Sequence, residues 1–383
     1  MTQKTARIAI VGGGLSGLYA AYALEAQGIS DYVVLEARSV LGGRIVSIPA
    51  AKTKISESPS SNSAMDKFDL GPSWFWPDLQ PQLHRLVQEL RLPYYQQYES
   101  GSMLLEQYAA KPSVAMSGYE SSPASMRLEG GMAALITALR SYVNAHRVHS
   151  GQTVKRLSFE GDQVAVTCEA SSGQTTIWNV EHVLLALPPR LAISSITFTP
   201  ELPEDICASW RATSTWMAPH AKYFAVYDTP FWREQGLSGQ ARSRVGPMGE
   251  IHDASIPDGK GALFGFLGVP ASTRRNLPES QLRALCRAQL GRMFGETAIK
   301  PQEEFYKDWA LEAYTATALD INGPALHADA PIAVLKSGLW ANKITGIASE
   351  WSRQFPGYLA GAIEAAAFGV KAFQKQGAGP LVI

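Results

Sequence analysis

Gly12, Gly14 and Gly17 lie between an apolar run, Arg7-Ile8-Ala9-Ile10-Val11, and a stretch from Leu18 to Gln27 that reads as a helix ended by Gly28. Glycines at this spacing suit one kind of chemistry, the holding of a pyrophosphate by backbone N–H groups. The first allows the tight turn, the second the close approach, and the third lets helix pack on strand. The helix start, with Leu15 and Ser16, then faces the phosphates with its free N–H groups. Tyr32-Val33-Val34-Leu35 reads as the second strand, and Glu36 at its end stands where a ribose-binding acid belongs, about 20 residues beyond the glycines. The pattern predicts a dinucleotide site.

The run that follows, Ala37-Arg38-Ser39-Val40-Leu41-Gly42-Gly43-Arg44, offers a second close backbone approach and a guanidinium able to fork onto phosphate oxygens. Taken alone it also fits a solvated turn that carries an arginine. Plain nicotinamide dehydrogenases have no need of this second loop. Far along the chain come Glu350 and Gly357-Tyr358. A site that opens at residue 12 and closes beyond residue 340 requires a chain that leaves the nucleotide domain and returns, as in two-domain redox flavoproteins.

Five ordered motifs then make the sequence similar to the flavin-containing amine oxidases, the family of monoamine, polyamine and L-amino acid oxidases. The Glu36 to Arg44 run matches that family's second FAD loop. Phe68-Asp69-Leu70-Gly71-Pro72-Ser73-Trp74 resembles its strand and turn beside the flavin ring, and Leu128-Glu129-Gly130-Gly131-Met132 its turn back to the FAD domain. Val183 to Pro189 resembles the strand that ends the second visit, and Glu350 with Gly357-Tyr358-Leu359-Ala360-Gly361-Ala362 the closing motif. The resemblance covers most of the chain. It implies an α/β fold, a Rossmann-type FAD-binding domain interleaved with an α+β substrate domain. It also implies a role for Lys222, which opens Lys222 to Trp232: a lysine here holds a water against flavin N5. The plain alternative is a solvated lysine on a strand edge. Lys307-Asp308-Trp309 resembles the family's Lys-x-Trp, whose indole flanks the ring.

Other positions depart from the family. Ala318 falls where animal monoamine oxidases carry the cysteine that bonds the flavin, so FAD is expected to be noncovalent. Leu319 falls on one wall of the aromatic cage and Tyr358 supplies the other, unless Tyr358 is a packed aromatic at a helix start. Ala348 replaces the usual glycine before Glu350. The short Ser-, Gly- and Pro-rich stretch between Tyr98 and Leu128 stands where relatives build a helical roof, which predicts an open or partner-covered pocket. Trp74 lies near the place of the amino acid oxidases' carboxylate-binding arginine, which favours an amine over an amino acid. Arg85, Arg91 and Arg353 are the possible substitutes.

Length and composition fit two domains. The chain has 383 residues, more than one core usually supports, and 46% of them are hydrophobic. With 34 basic and 34 acidic residues and no basic block, neither nucleic acid nor an anionic membrane surface is an expected partner. Cys168, Cys207 and Cys286 have neither metal nor redox spacing and fit a reducing, cytoplasmic setting. The first strand begins too early for a signal peptide, no apolar run reaches membrane-spanning length, and Gly377-Ala378-Gly379-Pro380 stands where anchored relatives carry a tail.

The expected FAD-binding segments are 1–66, 128–200 and 331–383, with Val154 in a strand pair beside Val164-Ala165-Val166. The expected substrate-binding segments are 67–127 and 201–330. Ala50 to Lys67 is expected to be a surface loop, and His220 and His252 polar surface or loop residues. Gly71, Pro72, Ser73, Trp74, Gly357 and Leu359 complete the expected flavin contacts. By the family's pattern an amine loses hydride to flavin N5, and O2 takes the electrons and yields hydrogen peroxide. Two alternatives stand beside it: a flavin oxidoreductase for a non-amine, and a flavoprotein that needs a partner or a second copy over its pocket.

Overall fold

The computed structural model describes residues 2–50, 67–323 and 327–377. The expected Ala50–Lys67 loop therefore lies almost wholly outside the described residues, as do Ala378 to Pro380.

The fully buried runs Ile8–Val11 and Tyr32–Glu36 have no polar alternation because both faces of their sheet are covered. They form the centre of a five-stranded parallel sheet in the order Val148–Ser150, Tyr32–Glu36, Ile8–Val11, His182–Leu185, Ile344–Gly346. Its strands thus come from widely separated parts of the chain. On one face lie the helices Leu15–Ala26 and Leu359–Gly377, which pack Ala20, Leu24, Ala366 and Val370 against Ile8, Ile10 and Val34. The other face packs Val11, Leu35, Val183 and Leu185 onto a second five-stranded sheet. Gln152–Glu160 and Gln163–Ala170 are its antiparallel centre, with a register shift just after Val154.

A seven-stranded sheet forms the other large body. Ala221–Tyr227, the strand of Lys222, lies between Glu303–Asp308 and Gly261–Leu267. The helix Glu279–Phe294 covers one side through Leu282, Cys286 and Leu290. The stretch between Tyr98 and Leu128 belongs to this sheet as well. Ser102–Glu106 and Val114–Ser117 are its last two strands, so these residues extend a sheet edge.

Among the described residues a large cleft lies where the ends of the parallel strands meet the Lys222 strand. Its free space, open solvent included, is about 1830 Å³. Among the described residues no helix is long and apolar enough to cross a membrane.

Candidate functional site

The nucleotide end of the cleft is built by two glycine loops that touch. Gly42 N donates to Gly13 O at 2.9 Å, and Gly14 forms a bridge with Gly42. Gly12 has φ +112°, which L side chains rarely adopt, and a Cβ on Gly17 would stand 2.0 Å from Gly12 O. Helix and strand can therefore meet only if residue 17 has no side chain. The helix Leu15–Ala26 starts at Gly14 without a side-chain cap, and Gly14, Leu15 and Ser16 line the cleft. Its open N–H groups make an anion-binding end.

Glu36 is buried and holds both loops: its carboxylate accepts from Gly13 N at 2.6 Å and from Arg38 N at 2.8 Å. Ala37, Arg38, Gly43, Arg44 and Val154 line the same end. Gln152 also lines it, and its Oε1 is buried without a hydrogen-bond partner, an acceptor aimed at a missing donor. Arg38 Nη2 donates to Glu312 Oε2 and Thr315 Oγ1, both at 3.2 Å, and Tyr314 and Thr315 close the end from the far side. An uncapped helix start, two loops that meet through glycines and an orphaned acceptor fit a dinucleotide.

The Arg44 guanidinium forks onto Glu350, at 2.5 and 3.0 Å, and also donates to Ser349. Glu350 is buried, so the pair ties the start of the chain to its closing motif. A Cβ on Gly71 would lie 2.0 Å from Arg44 O, which presses the Asp69–Ser73 turn against the second loop. Gly71, Pro72, Ser73 and Trp74 line the cleft at this point, and Trp74 Nε1 donates to Gln97 Oε1 at 2.7 Å.

Lys222 reaches the same turn from the opposite sheet. Its Nζ donates to Gly71 O at 2.6 Å, Ser73 Oγ at 2.9 Å and Asp69 O at 3.2 Å, while Phe264 and Phe266 stand 4.4 and 5.1 Å away. It is buried, not a solvated edge lysine. Burial first, with help from the buried Arg127, pushes its ammonium down to about 7, against the pull of Asp69. Above that pH the unfolded chain holds a proton here that the folded chain has lost. Stability should therefore rise between pH 7 and 10.5 by this group. We expect the stability difference, wild type minus Lys222→Met, to grow across that window in denaturant melts. A flat difference would mean that Lys222 keeps its charge when folded.

Trp309 follows from the neighbouring strand. Arg274 and Asp308 form a buried pair, at 2.7 Å through each of two bonds, and Arg274 also donates to Pro219 O. Trp309 N donates to His220 O at 3.0 Å and its indole Nε1 to Leu70 O at 3.0 Å. The indole is thus locked against the Asp69–Ser73 turn beside Lys222.

Tyr358 follows Gly357 (φ +83°) at the start of the last helix and lines the cleft with Leu359. Its ring centroid lies 5.0 Å from Trp216 and 6.3 Å from Trp76, which also line the cleft, and its ring stacks on His327 at 5.1 Å. Leu319 does not join them. It sits on the short helix Ala318–Asn322, which a Thr317–Asp320 capping box turns outward, and is 52% exposed. The aromatic neighbours of Tyr358 are Trp216 and Trp76 instead, from segments that carry no motif.

Of the two histidines, His252 departs from expectation. His220 lies just before the Lys222 strand, Ala221–Tyr227, and lines the cleft with a buried, unpartnered Nδ1. His252 is half-buried, stacked on Phe264 and bonded to Glu250 at 2.7 Å. His220 is a loop residue as expected, but one turned into the cleft; His252 lies within the strand Met248–Asp253 instead of a loop. Among the described residues no His, Cys, Asp and Glu group could hold a metal. The period-2 spacing from Lys222 was the signal that could have found His220. Met217, Gln80 and Phe266, also in the wall, had no such local signal.

The model of the family "Flavin containing amine oxidoreductase" matches residues 94–368, and that of the NAD(P)-binding Rossmann-like domain matches residues 10–90. The chain belongs to the flavin-containing amine oxidoreductases. A curated relative, the putative flavin-containing monoamine oxidase AofH of Mycobacterium tuberculosis, is 29% identical over 245 residues, 62% of this chain and 50% of its own. The chain thus spans about half the length of the curated relatives it matches. Among solved structures, putrescine oxidase with bound putrescine aligns at a TM-score of 0.77, with 19% identity over 98% of this chain and all of the other. Cyclohexylamine oxidase from Brevibacterium oxydans aligns at 0.76, with 17% identity over 97% and 99%. At these identities the structures show the shared fold of this flavin-containing family: a Rossmann-type nucleotide body joined to a mixed sheet.

Proposed function

We propose that this member of the family is an FAD-dependent oxidoreductase that oxidises an amine to an imine. The observation that supports it best is Lys222, a buried lysine whose Nζ meets the Asp69–Ser73 turn at the edge of the nucleotide cleft, beside Trp309. FAD would be held noncovalently at its pyrophosphate by Gly12, Gly14, Leu15, Ser16, Gly42, Gly43 and Arg44. Glu36, Ala37, Arg38 and Val154 would take the adenosine end. Gly71, Pro72, Ser73, Trp74, Gly357, Tyr358 and Leu359 would surround the ring end. None of the three cysteines lines the cleft, and Ala318 stands outside it, in keeping with noncovalent binding. The FAD-binding body is drawn from 1–66, 128–200 and 331–383, and the substrate-binding body from 67–127 and 201–330.

When bound, FAD supplies the two-electron acceptor for a C–H bond next to nitrogen, with O2 as the final acceptor and hydrogen peroxide as the product. The chain's own residues do the rest. Tyr358, Trp216 and Trp76 orient the amine and exclude water from its α-carbon. Lys222, near neutrality at working pH, holds or moves a proton at Nζ. An ammonium has no free lone pair, so the reacting form is the neutral amine, and the imine leaves for hydrolysis in water.

Anaerobic titration of the FAD-loaded protein with primary, secondary and aromatic amines tests this. Bleaching by one class, with colour and peroxide returning in air, is the expected result. A bound flavin that no amine reduces would overturn amine oxidation, and a protein that does not take up FAD would overturn the cofactor.

A further inference from the structure

Building on the amine oxidation proposed above, we infer that the site takes a monoamine with an apolar body and discriminates against both diamines and amino acids. Every charged side chain among the described wall residues already has partners inside the protein. Among the described residues that line it, Glu36 is the one carboxylate, and it lies at the nucleotide end with its oxygens on Gly13 N and Arg38 N. The cations are Arg38, Arg44 and Lys222. Arg38 is taken by Glu312, Arg44 by Glu350 through two bonds, and the three Lys222 donors by Asp69 O, Gly71 O and Ser73 Oγ. Arg85, Arg91 and Arg353 are not in the wall.

The substrate end is lined instead by Trp76, Trp216, Met217, Phe266 and Tyr358, with the uncharged His220 and Gln80 as polar members. Burial and the nearby Arg274 push the His220 imidazole below its ordinary range, so it stays neutral at pH 7. The reacting amine, bound neutral, needs no counter-charge, and its alkyl or aryl body is served by the tryptophans. A distal ammonium would lose hydration and meet no carboxylate, and a substrate carboxylate would meet no free cation. The selectivity therefore comes from what the wall withholds. It separates this chain from a diamine oxidase despite the shared fold.

Matched pairs test this on the FAD-loaded protein by anaerobic stopped flow: hexylamine against diaminohexane, and phenethylamine against phenylalanine. We expect the charged member of each pair to be poorer by about 100-fold or more in the ratio of reduction rate to Kd. A Met217→Glu variant places a carboxylate in the wall and should narrow the hexylamine–diaminohexane gap by about tenfold. A wild-type protein that uses diaminohexane or phenylalanine within about threefold of its partner would overturn the inference while amine oxidation stands. If none of the four reduces a bound flavin, amine oxidation falls and the inference falls with it.

Discussion

Replacing Lys222 with methionine is expected to lower turnover by at least about 100-fold while FAD stays bound. Methionine keeps most of the length and the apolar contacts with Phe264 and Phe266 but removes the group that meets Asp69 O, Gly71 O and Ser73 Oγ. No bond from Lys222 reaches the glycine loops, so flavin content should match wild type. The pH profile carries a second sign. In the wild type, loss of the Lys222 proton near pH 7 adds one rising limb to that of the substrate amine. The variant should keep only the substrate's limb. Unchanged turnover, measured with the same flavin content, would remove Lys222 from the mechanism.

The second large effect is expected on stability. Arg44→Ala should cost about 3–5 kcal/mol in equilibrium unfolding, because Glu350 is left buried with its partner gone. Arg44 itself is only partly exposed, so solvent cannot take over its role. Flavin content should fall too, since the same guanidinium holds the second loop to the closing motif. Adding Glu350→Gln should recover a good part of the loss by removing the stranded charge. If Arg44→Ala melts like wild type, the pair is not a tie between the two ends.

What could be read from sequence divides along physical lines. Gly12, Gly17 and Glu36 were legible because their roles are local: a positive φ, a missing Cβ and the end of a strand each leave a mark at a fixed spacing. Lys222 was legible only beside the Phe231-Trp232 corner that follows its strand. Trp76 and Trp216 were not, because the approach of three aromatic rings from three separate segments leaves no spacing to read. Leu319 was misplaced since position along the chain cannot tell which way a five-residue helix will turn its side chains. The strands Ser102–Glu106 and Val114–Ser117 went unseen in a stretch judged by its Ser, Gly and Pro content and its length. They pair with each other, but Ser102–Glu106 joins the sheet only through Leu237–Ser243, a partner that only the tertiary fold supplies.

The tie between Arg44 and Glu350 spans 306 residues, and the parallel sheet takes its last strand at Ile344–Gly346. During synthesis the glycine loops leave the ribosome early, yet the wall that faces them emerges only after most of the chain is out. Until then Arg44 has no counter-charge, and the helix start of Leu359–Gly377 does not exist. On the proposed site, cofactor capture is thus a late event in the life of each molecule, and a chain arrested before the closing motif is expected to be colourless however well its first strands had formed.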